Sequence, residues 1–250
     1  MDEIIYIIIT GAFTGFSSGM FGIGGSVVAT PFLSLLLGIV PIMAIATPLP
    51  AAIPSALSGS YLYQKKKMIN YKFALIVLLT AIPLGWLGSY TTGYIDQTVL
   101  IILKAVFLII LGLKFFISSW LMKGKVEEPK LSITGGLISG ALAGFVAGIL
   151  AVGGGIVLVT AFVRINNLPM KNAVATSLFC VLILAIANSI KHFQMGHIDL
   201  NITWILAISV IPFAYLGAKT AVSLRNKTLE RVFGAAMIIF AIFFIITQIA

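Results

Sequence analysis

The chain has 250 residues, of which 60% are hydrophobic and only 9% charged, with a mean hydropathy of +1.14. A soluble domain averages about 25% charged residues, so this chain cannot clothe a water-facing surface; a soluble enzyme, a nucleic-acid binder and a disordered protein are excluded. The net charge of +9 is better explained by where the basic residues sit than by a polyanionic partner, and the single cysteine, Cys180, excludes an intramolecular disulfide and any cysteine metal cluster.

In chain order, apolar stretches run over about 4–21, 26–40, 44–63, 72–92, 98–121, 132–150, 156–163, 172–190, 201–218 and 229–249. A spanning helix needs about 20 residues, and 44–63, 72–92, 98–121, 172–190 and 229–249 qualify easily. The stretches at 26–40 and 156–163 are short, and each follows a glycine cluster. The chain opens on Asp2 and Glu3, where a cleavable signal would carry basic residues, so no signal peptide is expected. Pro31, Pro48, Pro50 and Pro54 have no counterparts in the second half. Proline removes a helical hydrogen bond and clashes with the preceding turn, so the helix at 44–63 is expected to be kinked or to start late. The expected organisation is a first membrane unit at 1–122, a cytoplasmic linker at 123–131 and a second membrane unit at 132–250.

The two units are copies. Adding 129 carries Gly11, Gly15 and Gly19 onto Gly140, Gly144 and Gly148, and Gly24 and Gly25 onto Gly153 and Gly154. It carries Ala46, Thr47 and Leu49 onto Ala175, Thr176 and Leu178, and Ile82 and Pro83 onto Ile211 and Pro212. Chance apolar similarity supplies isoleucines and leucines, but not glycines, prolines and threonines in one register. The charges of equivalent loops are opposed. Lys65, Lys66, Lys67 and Lys72 face only Lys191 with His192 and His197, while Lys219, Arg225, Lys227 and Arg231 face Asp96. Cytoplasmic loops are enriched in Lys and Arg, so the copies are expected to be inverted in the membrane. That requires 4–40 to enter and return as a hairpin. Of the 16 basic residues, 14 then lie on or reach toward the cytoplasm, the exceptions being Lys104 and Lys191. The expected fold is an all-α polytopic protein of the cell membrane. It has two inverted-topology repeats, each a broken-helix hairpin plus three transmembrane helices, and both termini lie outside.

Two kinds of glycine pattern occur. Gly11, Gly15 and Gly19, like Gly140, Gly144 and Gly148, form bare ridges for close helix packing. The runs Phe21-Gly22-Ile23-Gly24-Gly25-Ser26 and Leu150-Ala151-Val152-Gly153-Gly154-Gly155 instead break a helix at matching places. Irregular backbone at membrane depth is tolerated only inside protein or beside a water-filled cavity, and paired breaks point to a transporter binding site. A tight turn without a ligand is the alternative.

The run from Phe21 to Leu33, with Ala46-Thr47-Pro48-Leu49, resembles the TauE/SafE sulfite exporter family. The second half, Gly148 to Gly155 with Ala175-Thr176-Ser177-Leu178, is similar to that family's second repeat. Nearly the whole chain is covered. The resemblance implies transport of small sulfur-containing anions such as sulfite, thiosulfate or organosulfonates. Ser26 stands where a further glycine is common, and Thr160 stands opposite Pro31, which implies an altered pocket.

Helix N-termini favour anions through unpaired N–H groups and the macrodipole. The expected substrate-binding residues are therefore Gly22, Gly24, Gly25, Ser26 and Thr30 around the first break, and Gly153, Gly154 and Gly155 around the second. Thr47, Thr176, Ser177 and Asn188 are candidates to complete the shell, although Ser and Thr in membrane helices usually bond their own backbone. No catalytic or metal site and no cofactor are expected, and no nucleotide-binding motif is present. The reading is a secondary or facilitated transporter whose two repeats rock about a central site, with an anion channel or a carrier of another small organic anion as the alternative. The implied partners are a small anion and bilayer lipid, with no nucleic acid; a homo-oligomer is compatible with the sequence.

Overall fold

The computed structural model describes residues 2–92, 94, 95, 97–121, 129, 131–150 and 154–249. Among them every regular element is a helix. In chain order these are α1 (Asp2–Phe21), α2 (Ser26–Leu37), α3 (Pro41–Ala46), α4 (Pro48–Lys65), α5 (Tyr71–Thr92) and α6 (Gln97–Leu121). The second half holds α7 (Ile133–Leu150), α8 (Gly155–Arg164), α9 (Met170–Gln194), α10 (Leu200–Ser223) and α11 (Asn226–Ile249). Six helical stretches among the described residues are long and apolar enough to cross a membrane. Most of the expected linker, Gly153 and the side chains of Lys104 and Lys191 lie outside the described residues.

The chain does return on itself after the first break. Phe32 of α2 stacks on Phe13 of α1 with ring centroids 5.5 Å apart. Nineteen residues of continuous helix would separate the same two rings by about 28 Å at 1.5 Å per residue. The second half folds likewise: Asn166, just past α8, accepts a 2.6 Å hydrogen bond from Ser139 near the start of α7.

The prolines act as expected. In the second half, α9 runs unbroken from Met170 to Gln194. The equivalent first-half stretch is divided at Thr47 into α3 and α4. Pro48 has no N–H to give and a ring that crowds the turn before it.

The glycine ridges decide which helices meet. A Cβ at Gly11, Gly15 or Gly19 would collide with Ser209, Val210 or Ala214 of α10. One at Gly140, Gly144 or Gly148 would collide with Val77 and Thr80, Ala81, or Gly85 of α5. So α1 packs on α10 and α7 on α5, backbone against backbone, which bare glycine faces permit. Each principal partner therefore comes from the other half. The contacts also correspond in detail: Gly11 with Ser209, Gly15 with Val210 and Gly19 with Ala214 become Gly140 with Thr80, Gly144 with Ala81 and Gly148 with Gly85 when 129 is added to one member and subtracted from the other.

Loop hydrogen bonds gather the basic segments at one end. Asn172 Nδ2 donates to the Met68 carbonyl, Asn70 N–H donates to Thr176 Oγ1, and Lys171 Nζ donates to the Val222 carbonyl. These join the loop after α4, the start of α9 and the end of α10. At the other end, Asp199 caps α10 by accepting from Asn201 and Ile202 N–H, while its own N–H donates to Thr47 Oγ1 at the head of α4. Hence α4 and α9, equivalent helices of the two halves, lie antiparallel.

Candidate functional site

Both breaks turn the chain through left-handed backbone. Gly22, Gly24 and Gly25 have φ of 68°, 78° and 81°, and Gly154 has 79°. A side chain is strained there and glycine is not. The turns bring the breaks into direct contact. A Cβ at Gly155, the first residue of α8, would stand 2.5 Å from Ile23 Cα and would overlap the Gly22 carbonyl. The junction is therefore backbone on backbone, with no room for a side chain.

Ser177 on α9 joins the two. Its Oγ lies 2.9 Å from the Gly22 carbonyl and 3.1 Å from the Gly155 carbonyl, so a single buried hydroxyl proton is shared between one oxygen of each break. Its equivalent in the first half is Pro48, which has no hydroxyl. Helix α9 continues past both turns, with Val181 against Gly24 and Leu184 against Gly154.

The other expected residues divide. Ser26 opens α2 and is buried, with its hydroxyl unpartnered. The Thr30 hydroxyl donates to the carbonyl of Ser26, inside its own helix. The hydroxyls of Thr47 and Thr176 accept from the N–H groups of Asp199 and Asn70, the residues whose side chains cap α10 and α5. These two threonines hold helix ends in place. Asn188, half-buried on α9, lines a cavity of about 60 Å³ beside the second break, together with Gly154, Leu184, Trp86, Ser89 and His192. Gly153 lies outside the described residues.

At the equivalent place in the first half stands a tyrosine. Adding 129 carries Tyr63 onto His192. Tyr63 is fully buried and its hydroxyl donates a 2.8 Å hydrogen bond to the Gly19 carbonyl, near the end of α1. Removing one partner of a buried hydrogen bond costs about 1–3 kcal/mol. Tyr63→Phe is expected to lower the unfolding temperature of purified protein in detergent, read by intrinsic fluorescence. An unchanged temperature would show that this bond contributes nothing.

Sequence reasoning missed Thr14, Ser18 and Ser55. All three are buried, and none of their hydroxyls has a partner. Their signal lay in the mismatches of the repeat rather than its matches: 129 residues on stand Ala143, Ala147 and Leu184.

A profile of the family described as sulfite exporter TauE/SafE matches residues 7–244. A probable membrane transporter protein, YunE of Bacillus subtilis, is 26% identical over 248 residues, covering 90% of this chain and 89% of that protein. The probable membrane transporter protein MJ0441 of Methanocaldococcus jannaschii is 24% identical, covering 96% of this chain and 94% of its own length. A probable membrane transporter protein of Xylella fastidiosa is 26% identical over 98% of this chain and 96% of its own length.

Proposed function

The chain belongs to the sulfite exporter TauE/SafE family and is a multi-pass membrane transporter; from that premise we propose that it carries small sulfur-containing oxyanions, such as sulfite, thiosulfate or organosulfonates, bound between its two glycine breaks. The observation that carries this reading is the direct meeting of the breaks at Gly22, Ile23 and Gly155. Two helices, α2 and α8, begin there. The first N–H groups of each have no partner within the helix, and the macrodipoles set positive potential at the gap. An anion is favoured without a buried Lys or Arg, through Gly22, Gly24, Gly25 and Ser26 on one side and Gly153, Gly154 and Gly155 on the other. Asn188 reaches the same region from the cavity wall.

The two halves are inverted copies in this reading. Its support is that α4 and α9 lie antiparallel, and that α6 and α11 do also: Gly112 meets Ile238, while Phe115, further along α6, meets Phe233, earlier in α11, edge to face at 4.9 Å. The end that gathers Lys66, Lys171 and Arg225 is the cytoplasmic one by the positive-inside rule, so both termini lie outside. Single cysteines at Lys66, Asn167 and Asn226, in a Cys180→Ser background, are expected to react only with maleimides that reach the cytoplasm. A cysteine at Met195 is expected to react from outside. Lys66 and Met195 labelling from one side would reject the topology.

Transport itself is tested in proteoliposomes. Sulfur-35 thiosulfate outside is expected to accumulate transiently above its equilibrium level when unlabelled thiosulfate or sulfite is trapped inside. Such counterflow requires a carrier, and a channel gives only equilibration. Absence of uptake of every sulfur oxyanion tried would overturn the assignment.

A further inference from the structure

The two breaks share a left-handed turn at Gly25 and its copy Gly154 and differ in the side chains beside it. Around Gly25, a Cβ would stand 2.5 Å from Thr14 Cγ2 and 3.8 Å from Ser18 Cβ, and the next residue is Ser26. Gly154, the copy of Gly25, has Ala147 and Leu184 in the corresponding contacts, with Ala143 and Gly155 at the places of Thr14 and Ser26. Leu184, which meets Gly154, is the copy of Ser55, a buried residue of α4. Thr14, Ser18 and Ser26 thus set hydroxyl residues beside the first break, and their copies Ala143, Ala147 and Gly155 carry none.

Those hydroxyls are sealed. Thr14 is 3% exposed, Ser18 and Ser55 0% and Ser26 2%, and Thr14 Oγ1 and the Oγ atoms of the three serines all lack a hydrogen-bond partner. Buried polar groups are almost always satisfied, and an exception needs a reason. Serine and threonine in a helix can return their proton to the carbonyl four residues back, as Thr30 does here. Thr14 and Ser18 sit mid-helix on α1 and do not. Tyr63, whose hydroxyl binds the Gly19 carbonyl next to Ser18, stands where the second half has His192, which lines the cavity.

We propose that Thr14, Ser18, Ser26 and Ser55 form a hydroxyl nest that receives the oxygens of the transported oxyanion, on the first-half side only, when Tyr63 releases Gly19. The inference rests on the reading that an anion binds at the breaks, and it deepens that reading by naming the residues that recognise it. Hydroxyls and the first N–H groups of α2 give short, directional donors to oxygen. They suit an anion whose charge is spread over two or three oxygens. A spherical halide satisfies fewer of them. The second break then contributes backbone groups to the same anion rather than hydroxyls.

The test measures binding to purified full-length protein in detergent by isothermal titration calorimetry, with sodium sulfite, methanesulfonate, nitrate and acetate as probes and chloride as the spherical comparison. Wild type is expected to bind at least one of the four oxyanions more tightly than chloride. Ser18→Ala and Thr14→Val are each expected to raise Kd for that probe about tenfold, the loss of one charge-assisted hydrogen bond. Thr14→Ser, which keeps the hydroxyl, and Ala143→Ser, in the second half, are expected to stay within about twofold of wild type. Unchanged binding in Ser18→Ala and Thr14→Val would overturn the nest, as would equal losses in Thr14→Ser and Thr14→Val. So would a wild type that binds none of the oxyanions. Binding of nitrate or acetate but of neither sulfur probe, lost in Ser18→Ala, would support the nest while overturning the sulfur assignment.

Discussion

Gly155→Ala is expected to abolish transport while leaving a protein that inserts in the membrane. Gly155 begins α8 with ordinary helical backbone, so alanine is not strained by its own conformation. The obstacle is across the junction, where the new methyl would overlap the Gly22 carbonyl and Ile23 Cα. Backbone cannot swing aside as a side chain can, so either α8 or the tip of the first hairpin must be displaced. Overpacking of this kind costs about 1–3 kcal/mol. The same stability loss is expected for Gly15→Ala, whose methyl would overlap Val210 backbone on the ridge between α1 and α10. The two variants separate the effects. Proteoliposome uptake, normalised to inserted protein, is expected to fall at least tenfold for Gly155→Ala and to change little for Gly15→Ala. Equal transport by the two would show that the junction is only a packing contact.

Ser177→Ala is expected to have the next largest effect. Its hydroxyl is shared by the Gly22 and Gly155 carbonyls, which lie in a buried junction. Alanine leaves the Gly22 carbonyl without that donor, at about 1–3 kcal/mol for an unsatisfied buried group, while the Gly155 carbonyl keeps its place in the ladder of α8. The lost bond also releases the two breaks from a common anchor on α9. Ser177→Ala is therefore expected to lower the unfolding temperature and to reduce uptake as well. Ser177→Thr keeps the hydroxyl and is expected to restore part of both. A Ser177→Ala protein with wild-type melting and wild-type uptake would remove this serine from the argument.

Much of the architecture was legible because it follows from short-range rules. Glycine runs break helices, Pro48 sets the start of α4, and a constant offset of 129 marks the copies. The hairpin at the first break was legible only through charge, since apolar length alone fits one long crossing as well as a return. The site was harder to read. Thr47 and Thr176 matched across the repeat, and that match reflects their shared work of holding the caps Asp199 and Asn70. Ser177 drew attention only as a polar residue beside a threonine. Its role comes from two carbonyls separated from it by 155 and 22 residues, a distance that no local pattern encodes. Thr14, Ser18 and Ser55 were hidden for the opposite reason: a search for agreement between copies passes over positions where only one copy is polar.

The ridges of α1 and α7 have a consequence for what counts as a part of this molecule. Each is filled by a helix of the other half, α10 and α5, with backbone on backbone at Gly15, Gly19, Gly144 and Gly148. A rigid-body step therefore moves α1 with α10 and α5 with α7, and the boundary between moving bodies does not follow the boundary between copies. A lone half, expressed from Met1 to Leu121, would carry a bare glycine face on α1 and the matching groove on α5, with neither able to fill the other from its own orientation. Their partners, α10 and α7, come from the other half, so the packed units are hybrids that neither half contains alone.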